Sequence, residues 1–371
     1  MLKRVVCFFG SVYFGLLPKK KPDFSRVKKV MVIKPGAIGD ILMTTPFLMA
    51  LRKRFPKAKI HFYIGKWSAP ILGGNPNIDS IVIFDDRIIF EKRIGELYKL
   101  IKRIRKERYD IGFILDRSYL ANLFVYFCNI PVRVGFDRNG EGFPNTIKVP
   151  YNDSKHDIEF YLDLGKAVDV SAKGKKMDIF LKEREIKFAR DFLNKNGLKK
   201  SDLIVGISPG GGKNPGQTVF LKRWFKDRYI ELCNKLIKDY KAKIIFFGGP
   251  DDANLIEEIQ KSVKDKTFNS AGLANLMESA ALMGFCKLFI CNDSGPMHMA
   301  AAMDVPTISI FGPTDPVKLA PLGEKHIMIR KKLDCMPCYH DGRFPNCKHQ
   351  RCMKLVKVED VLKAVEKTIR K

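Results

Sequence analysis

Three short runs carry residue types able to do chemistry. The most specific is Asn292-Asp293-Ser294-Gly295-Pro296-Met297-His298, which follows an apolar run at 288–291 and leads into Met299-Ala300-Ala301-Ala302. A helix starting there aims the backbone N–H groups of Ser294, Gly295 and Met297 at an anion and forms a seat for a diphosphate, while Pro296 donates nothing but presets the first turn. Asp293 reads as a helix cap or as a holder of sugar hydroxyls; His298 reads equally as a buried structural histidine or a catalytic one. The second run is Ser208-Pro209-Gly210-Gly211-Gly212-Lys213, whose glycine N–H groups and lysine suit phosphate, against the alternative of a flexible loop without function. Just downstream, Lys222 is expected at a helix start, where a cation opposes the helix dipole and an anionic ligand would account for it. The third run is Lys34-Pro35-Gly36-Ala37-Ile38-Gly39-Asp40, in which Gly36 and Gly39 permit close approach of a ligand. Asp40 either caps the helix that follows or removes a proton from a bound hydroxyl. A weaker signal is Phe247-Gly248-Gly249-Pro250-Asp251-Asp252, where Asp251 and Asp252 stand at a strand end as ribose ligands or as ordinary caps.

An alternation of strands and helices must position these runs. Segments 29–33, 60–64, 81–84 and 111–115 read as strands, and 41–52 as a helix ending before Pro56. Segment 90–106 has helical spacing that groups Phe90, Ile94, Leu97, Ile101 and Ile104 on one face. Between 151 and 176 the chain turns polar around a helix at 156–167, then restarts with a strand at 177–181 and a charged helix from Glu183. The second half repeats the plan, with strands at 203–208, 243–247, 288–291 and 307–311 and helices near 222–238, 252–263, 273–283, 296–303 and 358–370. The expected organisation is a basic apolar extension 1–28, a first domain 29–170, a second domain 171–355 with a cysteine-containing loop 335–352, and a C-terminal helix 356–371. Two doubly wound α/β domains place ligands at the carboxyl ends of their strands, on loops facing a shared cleft.

Composition narrows the function. With 46% hydrophobic and 29% charged residues in 371, the chain is neither disordered, nor collagen-like, nor a multi-span membrane protein. Its net charge of +27 points to nucleic acid, an anionic membrane or a phosphorylated substrate, unless the lysines are simply solvated. No aromatic-basic recognition module is present, so nucleic acid is not the expected partner. A nicotinamide-dependent oxidoreductase would need a G-x-G-x-x-G in the first strand–helix turn, which has G-x-x-G instead. Residues 1–34 hold nine Lys and Arg against one acid, Asp23. Within them the apolar run 5–17 is shorter than the roughly 20 residues a bilayer span requires, and no A-x-A-like cleavage site follows. It reads as an interfacial anchor that buries Phe8, Phe9, Tyr13 and Phe14 among lipid head groups while the lysines meet anionic lipid. The alternative is an arm packed on the protein's own surface.

At these residues the sequence resembles glycosyltransferase family 9, the heptosyltransferases of lipopolysaccharide inner-core assembly. The resemblance spans roughly 29–365 and rests on the K-P-G-A-I-G-D-I-L-M-T-T-P run at 34–46, L-K-R-W-F at 221–225, F-G-G-P at 247–250, and C-N-D-S-G-P-M-H-M-A-A-A with I-F-G-P-T-D-P at 310–316. It implies an α/β GT-B fold, two Rossmann-like domains facing a central cleft, and an inverting, metal-independent transfer at the cytoplasmic face of the inner membrane. Asp40 would then be the general base, Lys222 and the backbone at Ser294, Gly295 and Met297 would hold the donor diphosphate, and Asp293 would bind the donor sugar with His298 ordering that loop. Asp251 or Asp252 would touch the ribose, and the 274–278 stretch with Glu278 would lie by the base. The expected partners are a nucleotide-sugar donor, ADP-heptose in this family, a lipid A-core acceptor and an anionic membrane surface. Two alternatives stay open: a related glycosyltransferase using another nucleotide sugar for a different surface glycan, and a non-catalytic protein binding nucleic acid or an anionic surface.

The cysteines are a separate matter. Cys335, Cys338, Cys347 and Cys352 have gaps of two, eight and four residues, compatible with a structural zinc site in which His340 or His349 could substitute. Reduced thiols and disulfides are the alternatives, the last disfavoured in a cytosolic enzyme. No cofactor is required for the chemistry itself.

Overall fold

In the computed structural model, which describes residues 2–16, 22–85, 87–91, 93–152, 154–172, 174–211, 213–214, 217–218, 220–339 and 344–370, the chain divides into two units at Lys175/Lys176. The first is built on β1 (Lys29–Ile33), β2 (Lys59–Gly65), β3 (Ser80–Phe84), β4 (Ile111–Ile114), β5 (Val132–Asp137) and β6 (Ile147–Pro150). They form a parallel sheet in the order β3-β2-β1-β4-β5-β6, the doubly wound arrangement whose ligand edge lies where the order reverses, between β1 and β4. β1 is apolar throughout its KVMVI interior because a central parallel strand is covered on both faces.

Helix α1 (Leu2–Leu16) lies on this unit. Cys7 is buried, the Phe14 ring packs 4.8 Å from Tyr126 and 5.5 Å from Phe143, and Lys3 pairs with the buried Glu141 at 2.7 Å. Phe14 was expected among lipid head groups; it instead anchors the arm to the protein. Phe8, Phe9 and Tyr13 do face outward. Lys19, Lys20 and Lys21 lie outside the described residues.

After β1 come α2 (Ile38–Leu42) and α3 (Thr45–Arg54). The single helix expected at 90–106 is broken: α4 spans Ile94–Glu107, preceded by a separate turn at Arg87–Phe90. Arg93 takes a non-helical conformation there and pairs with Asp85 and Glu96, and Ile94 is exposed, not on the inner face. Helix α5 (Tyr119–Phe127) and α6 (Asp157–Lys166) complete the parts used below.

The second unit opens without the strand expected at 177–181, a run that joins neither sheet, and proceeds to α7 (Glu183–Lys195). Its strands are β7 (Ile204–Ser208), β8 (Lys243–Phe246), β9 (Phe268–Asn269), β10 (Leu288–Asn292), β11 (Thr307–Ile310) and β12 (Ile327–Ile329). Their order, β9-β8-β7-β10-β11-β12, is again parallel and repeats the first sheet. The edge strands β9 and β12 have only two and three residues, too short to show a pattern in the sequence. Helices α8 (Lys226–Tyr240), α9 (Ala253–Ser262), α10 (Leu276–Met283), α11 (Gly295–Ala302) and α12 (Val358–Ile369) cover the sheet. Val358, Val361 and Val365 of α12 belong to the same core as Ile207, Ile290 and Ile308, so the last helix is an integral layer of this unit.

Gly206 in β7 stands opposite Phe289 in β10. A Cβ at Gly206 would lie 2.5 Å from the Phe289 ring and 3.0 Å from the Cys286 sulfur, so the absence of a side chain is what lets the ring pack over the β7 backbone. Gly206→Ala is expected to destabilise the protein by about 1–3 kcal/mol through overpacking, read as a lower denaturant midpoint.

Candidate functional site

In the second unit, the loops leaving β7, β8 and β10 come together at the edge where the strand order reverses. The centre of this convergence is Asn292, fully buried at the end of β10. Its amide donates to the carbonyls of Pro209 and Gly210, each at 2.9 Å, and its oxygen accepts from the Trp224 N–H and the Tyr229 hydroxyl, each at 3.0 Å. One side chain thus fixes the glycine loop, the Leu221–Trp224 segment and α8. Residue type and motif position assign Asn292 no role of its own; an asparagine ending a fully apolar strand is the signal that could have found it.

The glycines are required by proximity. A Cβ on Gly210 would fall 2.2 Å from the Asp252 carboxyl, and one on Gly211, whose φ of +94° already excludes most side chains, 2.7 Å from the Ser294 Cβ. Asp252 is committed to this packing. Its Oδ1 accepts from Arg223 at 2.8 Å and from the Gly211 N–H at 3.3 Å, while Oδ2 accepts from the Gly249 N–H at 3.3 Å. Asp252 thus ties two loops together, a role that the ribose expectation did not include. Asp251, beside it, is exposed. Arg223, also unassigned from sequence, donates in addition to the Gly211 carbonyl at 2.7 Å and stacks on Phe220. Gly212 and the Lys213 side chain lie outside what the structure describes.

Helix α11 is buried and apolar apart from His298, with Met297, Met299 and Ala300 in the core, and its first turn adjoins the glycine loop, where Gly211 approaches Ser294. The N–H groups of Ser294 and Gly295 have no hydrogen-bond partner among the described residues. Met297 does not join them as expected: its N–H is donated to the Ser294 carbonyl at 3.1 Å, the tightened first turn that Pro296 allows.

Lys222 is not at the start of an α-helix. It ends a short 3₁₀ turn, Phe220–Lys222, ahead of α8, and its ammonium pairs with Asp293 at 2.7 Å. The protein itself answers this cation, and no ligand is needed to explain its position. Asp293 is buried and also accepts from Thr314 at 2.6 Å, which places the Pro313-Thr314-Asp315 segment in the site. Burial works against its charge, but the Lys222 ammonium, the hydrogen bonds from Lys222 and Thr314, and the nearby His298 together hold its carboxyl below the usual range. His298 is buried in the first turn of α11. Glu278 closes the capping box of α10, accepting from the Asn275 N–H at 2.8 Å.

The first unit supplies a carboxylate cluster at its own switch edge. Asp40, in α2, accepts from the Ala37 N–H at 3.2 Å through Oδ2, and its other oxygen has no hydrogen-bond partner among the described residues. The cap is thus made, and one oxygen is left for other chemistry. A Cβ on Gly36 would lie 3.2 Å from the Asp40 carboxylate, and Gly39 is buried within α2. Asp157, the first residue of α6, is buried and pairs with Arg117 at 2.7 Å; Arg117 stacks on Tyr151. Burial pushes the Asp157 carboxyl up, the Arg117 charge opposes this, and the Asp40 charge adds to the rise. Neither Arg117 nor Asp157 was singled out from the sequence, since the contact spans forty positions.

All four loop cysteines are free thiols, and Cys335, Cys338 and Cys347 lie close enough to Cys352 to raise its thiol's pKa after burial has done so. Among the described residues no three His, Cys, Asp or Glu converge as metal ligands, and His340 lies outside them. Cys347 approaches His349 at 3.5 Å.

Asp293 gives a pH-dependent prediction. Its folded pKa lies below the ordinary 3.8, so its stabilisation is present above that value and lost as pH falls through the folded one. Asp293→Asn, which strands the Lys222 ammonium, should cost about 3 kcal/mol at neutral pH and progressively less below the ordinary carboxylate range. Urea midpoints of the two proteins across that range test this; a pH-independent difference would remove the charge as its source.

The family profile of glycosyltransferase family 9 (heptosyltransferase) matches residues 97–349. Lipopolysaccharide heptosyltransferase 2 of Salmonella typhimurium is 29% identical over 315 residues, covering 81% of this chain and 88% of that protein. Among solved structures, a glycosyltransferase family 9 protein from Veillonella parvula has a TM-score of 0.78 at 24% identity, covering 94% of this chain and 98% of that one. E. coli ADP-heptose LPS heptosyltransferase II has a TM-score of 0.71 at 25% identity, covering 92% and 98%. Two parallel sheets of the same order, the loops gathered at their switch edges and these matches together establish that the chain belongs to glycosyltransferase family 9 and has its GT-B fold.

Proposed function

We propose that the protein transfers heptose from ADP-heptose to a sugar of the lipopolysaccharide inner core, with inversion at the anomeric carbon. The observation that carries this reading is the loop cluster of the second unit: two glycines, the Arg223–Asp252 tie and Asn292 surround the N–H groups of Ser294 and Gly295, which have no hydrogen-bond partner among the described residues, at the start of a buried helix. Similarity to lipopolysaccharide heptosyltransferase 2 supports the sugar and acceptor, and similarity to the E. coli ADP-heptose LPS heptosyltransferase II supports the nucleotide.

In this mechanism the free oxygen of Asp40 takes the proton of an acceptor hydroxyl, and the resulting oxygen attacks the anomeric carbon. The bond to the diphosphate breaks on the opposite face, with its electron pair leaving on the diphosphate oxygen. Ser294, Gly295 and the α11 dipole are aimed at that growing charge before it forms, and Lys222 adds its ammonium by sharing it between Asp293 and phosphate. Asp293, held ionised, is an acceptor for donor-sugar hydroxyls, with His298 ordering the turn. Asp251, Asp252 and Glu278 are the candidates on the nucleoside side. No step passes through a metal. A lipid A-core acceptor places the reaction at a membrane surface, for which the cytoplasmic face of the inner membrane is the proposed location.

Transfer from ADP-heptose to a heptose-deficient core tests the reading. Asp40→Asn should keep the wild-type thermal midpoint and lose at least about 100-fold in turnover, while Lys222→Ala should weaken donor binding about tenfold. Wild-type turnover in the first variant removes Asp40 from the mechanism, and tighter binding of UDP- or GDP-sugars than of ADP-sugars overturns the donor. The zinc reading of the four cysteines rests on their spacing alone and predicts about one zinc per purified chain. Metal-free protein with all four thiols titratable overturns it.

A further inference from the structure

Helix α1 has two apolar faces, and the protein uses one of them. Val6, Cys7, Gly10 and Phe14 turn toward the first unit, where a Cβ on Gly10 would lie 2.6 Å from the Phe143 ring. On the other side Val5, Phe8, Phe9, Val12, Tyr13 and Leu16 recur at the spacing of a single helical face, an arc of about 140° at 100° per residue. All six are exposed, Phe8 and Phe9 at 65% each and Leu16 at 82%. An apolar face of this size, left in water on a helix tied down by an ion pair and ring contacts, marks an interaction surface.

The surroundings of the face identify its occupant. Phe14 touches Tyr126, whose neighbour Phe127 is itself 48% exposed, and the Phe127 carbonyl accepts from Arg105 of α4 at 2.8 Å. α4 adds Lys102, Arg103 and Lys106 to Arg105, all exposed. Arg4 lies on α1 itself, and the sequence continues beyond the helix with three lysines at 19–21. The helix therefore carries an exposed cation, Arg4, and its inner face is linked through Tyr126 and Phe127 to the cation-rich α4. A second copy would bring like charges together, whereas an anionic lipid surface offers both an apolar layer and compensating charge. At 15 residues α1 is shorter than a bilayer span, and an amphipathic helix of this kind lies in the interface with its apolar face buried.

We propose that α1 is a membrane-docking helix, presenting Val5, Phe8, Phe9, Val12, Tyr13 and Leu16 to the acyl boundary of an anionic bilayer while the cations of α1 and α4 engage its head groups. It rests on the transferase reading only for the nature of the acceptor; the surface itself stands independently.

Co-sedimentation of the full chain with phosphatidylglycerol–phosphatidylcholine vesicles is the test. Binding is expected to be stronger than to phosphatidylcholine alone, to weaken at high salt, and to fall about tenfold or more in Phe8→Ser/Phe9→Ser. Because both side chains are exposed, the variant should keep the wild-type thermal midpoint. It should also keep transfer to a deacylated, soluble core acceptor and lose transfer to an acceptor embedded in vesicles. Unchanged vesicle binding by the variant, equal binding to neutral vesicles, or a wild-type dimer that the variant splits would overturn the proposal. Failure of the wild type on the soluble acceptor would instead overturn the transferase reading, leaving the vesicle result to stand by itself.

Discussion

The arrangement of the second unit depends on the four hydrogen bonds of one buried carboxamide. Asn292 sits where β10 ends, and neither an apolar residue nor an acid could take its place, because the site needs two donors on one side and one acceptor shared by two groups on the other. Its bonds cross from the end of one strand to the loop of another and to the segment that carries Lys222 and Arg223. In a low-dielectric interior each of these groups is costly to leave unpaired, so they hold one another in a single arrangement. The glycines then let the loops approach to distances that no side chain would permit.

The charges of the site are arranged on the same principle. Lys222 and Arg223 are adjacent in sequence yet answer different carboxylates, Asp293 and Asp252. The resting site is therefore locally balanced, and in the proposed reading its affinity for an anion would come from oriented backbone N–H groups and from a lysine that can be shared, not from a pool of unpaired cations. This separates the site from the chain's net charge of +27. Part of that excess lies on α1, which carries the outward aromatic face, and on α4.

Much of the fold was legible because its central strands are long apolar runs and its helices carry regular spacing. β1, β4, β7, β8, β10 and β11 stand where the pattern puts them, as do α6 and α12. What the pattern missed includes the short edge strands β9 and β12, the break at Arg93, and β5, an inner strand whose VRVGFD run mixes charged residues and glycine with its apolar ones. The run at 177–181 shows the opposite error: apolar residues without a neighbouring strand to pair with do not make a strand.

The sequence by itself determined the fold class and the family and singled out the loops that gather at the switch edges, because these follow from local periodicity and from motifs of fixed spacing. Only the tertiary structure decided which members of those motifs are spent on holding the site together. The Met297 N–H is consumed internally, Asp252 and Lys222 have internal partners, Arg117 and Asp157 meet across forty positions, and Phe14 turns inward while Phe8 and Phe9 do not. Residue type and spacing state what a side chain is able to do. Which hydrogen bonds and contacts are already satisfied is settled by chain segments far apart in sequence, and that is known only once they are brought together.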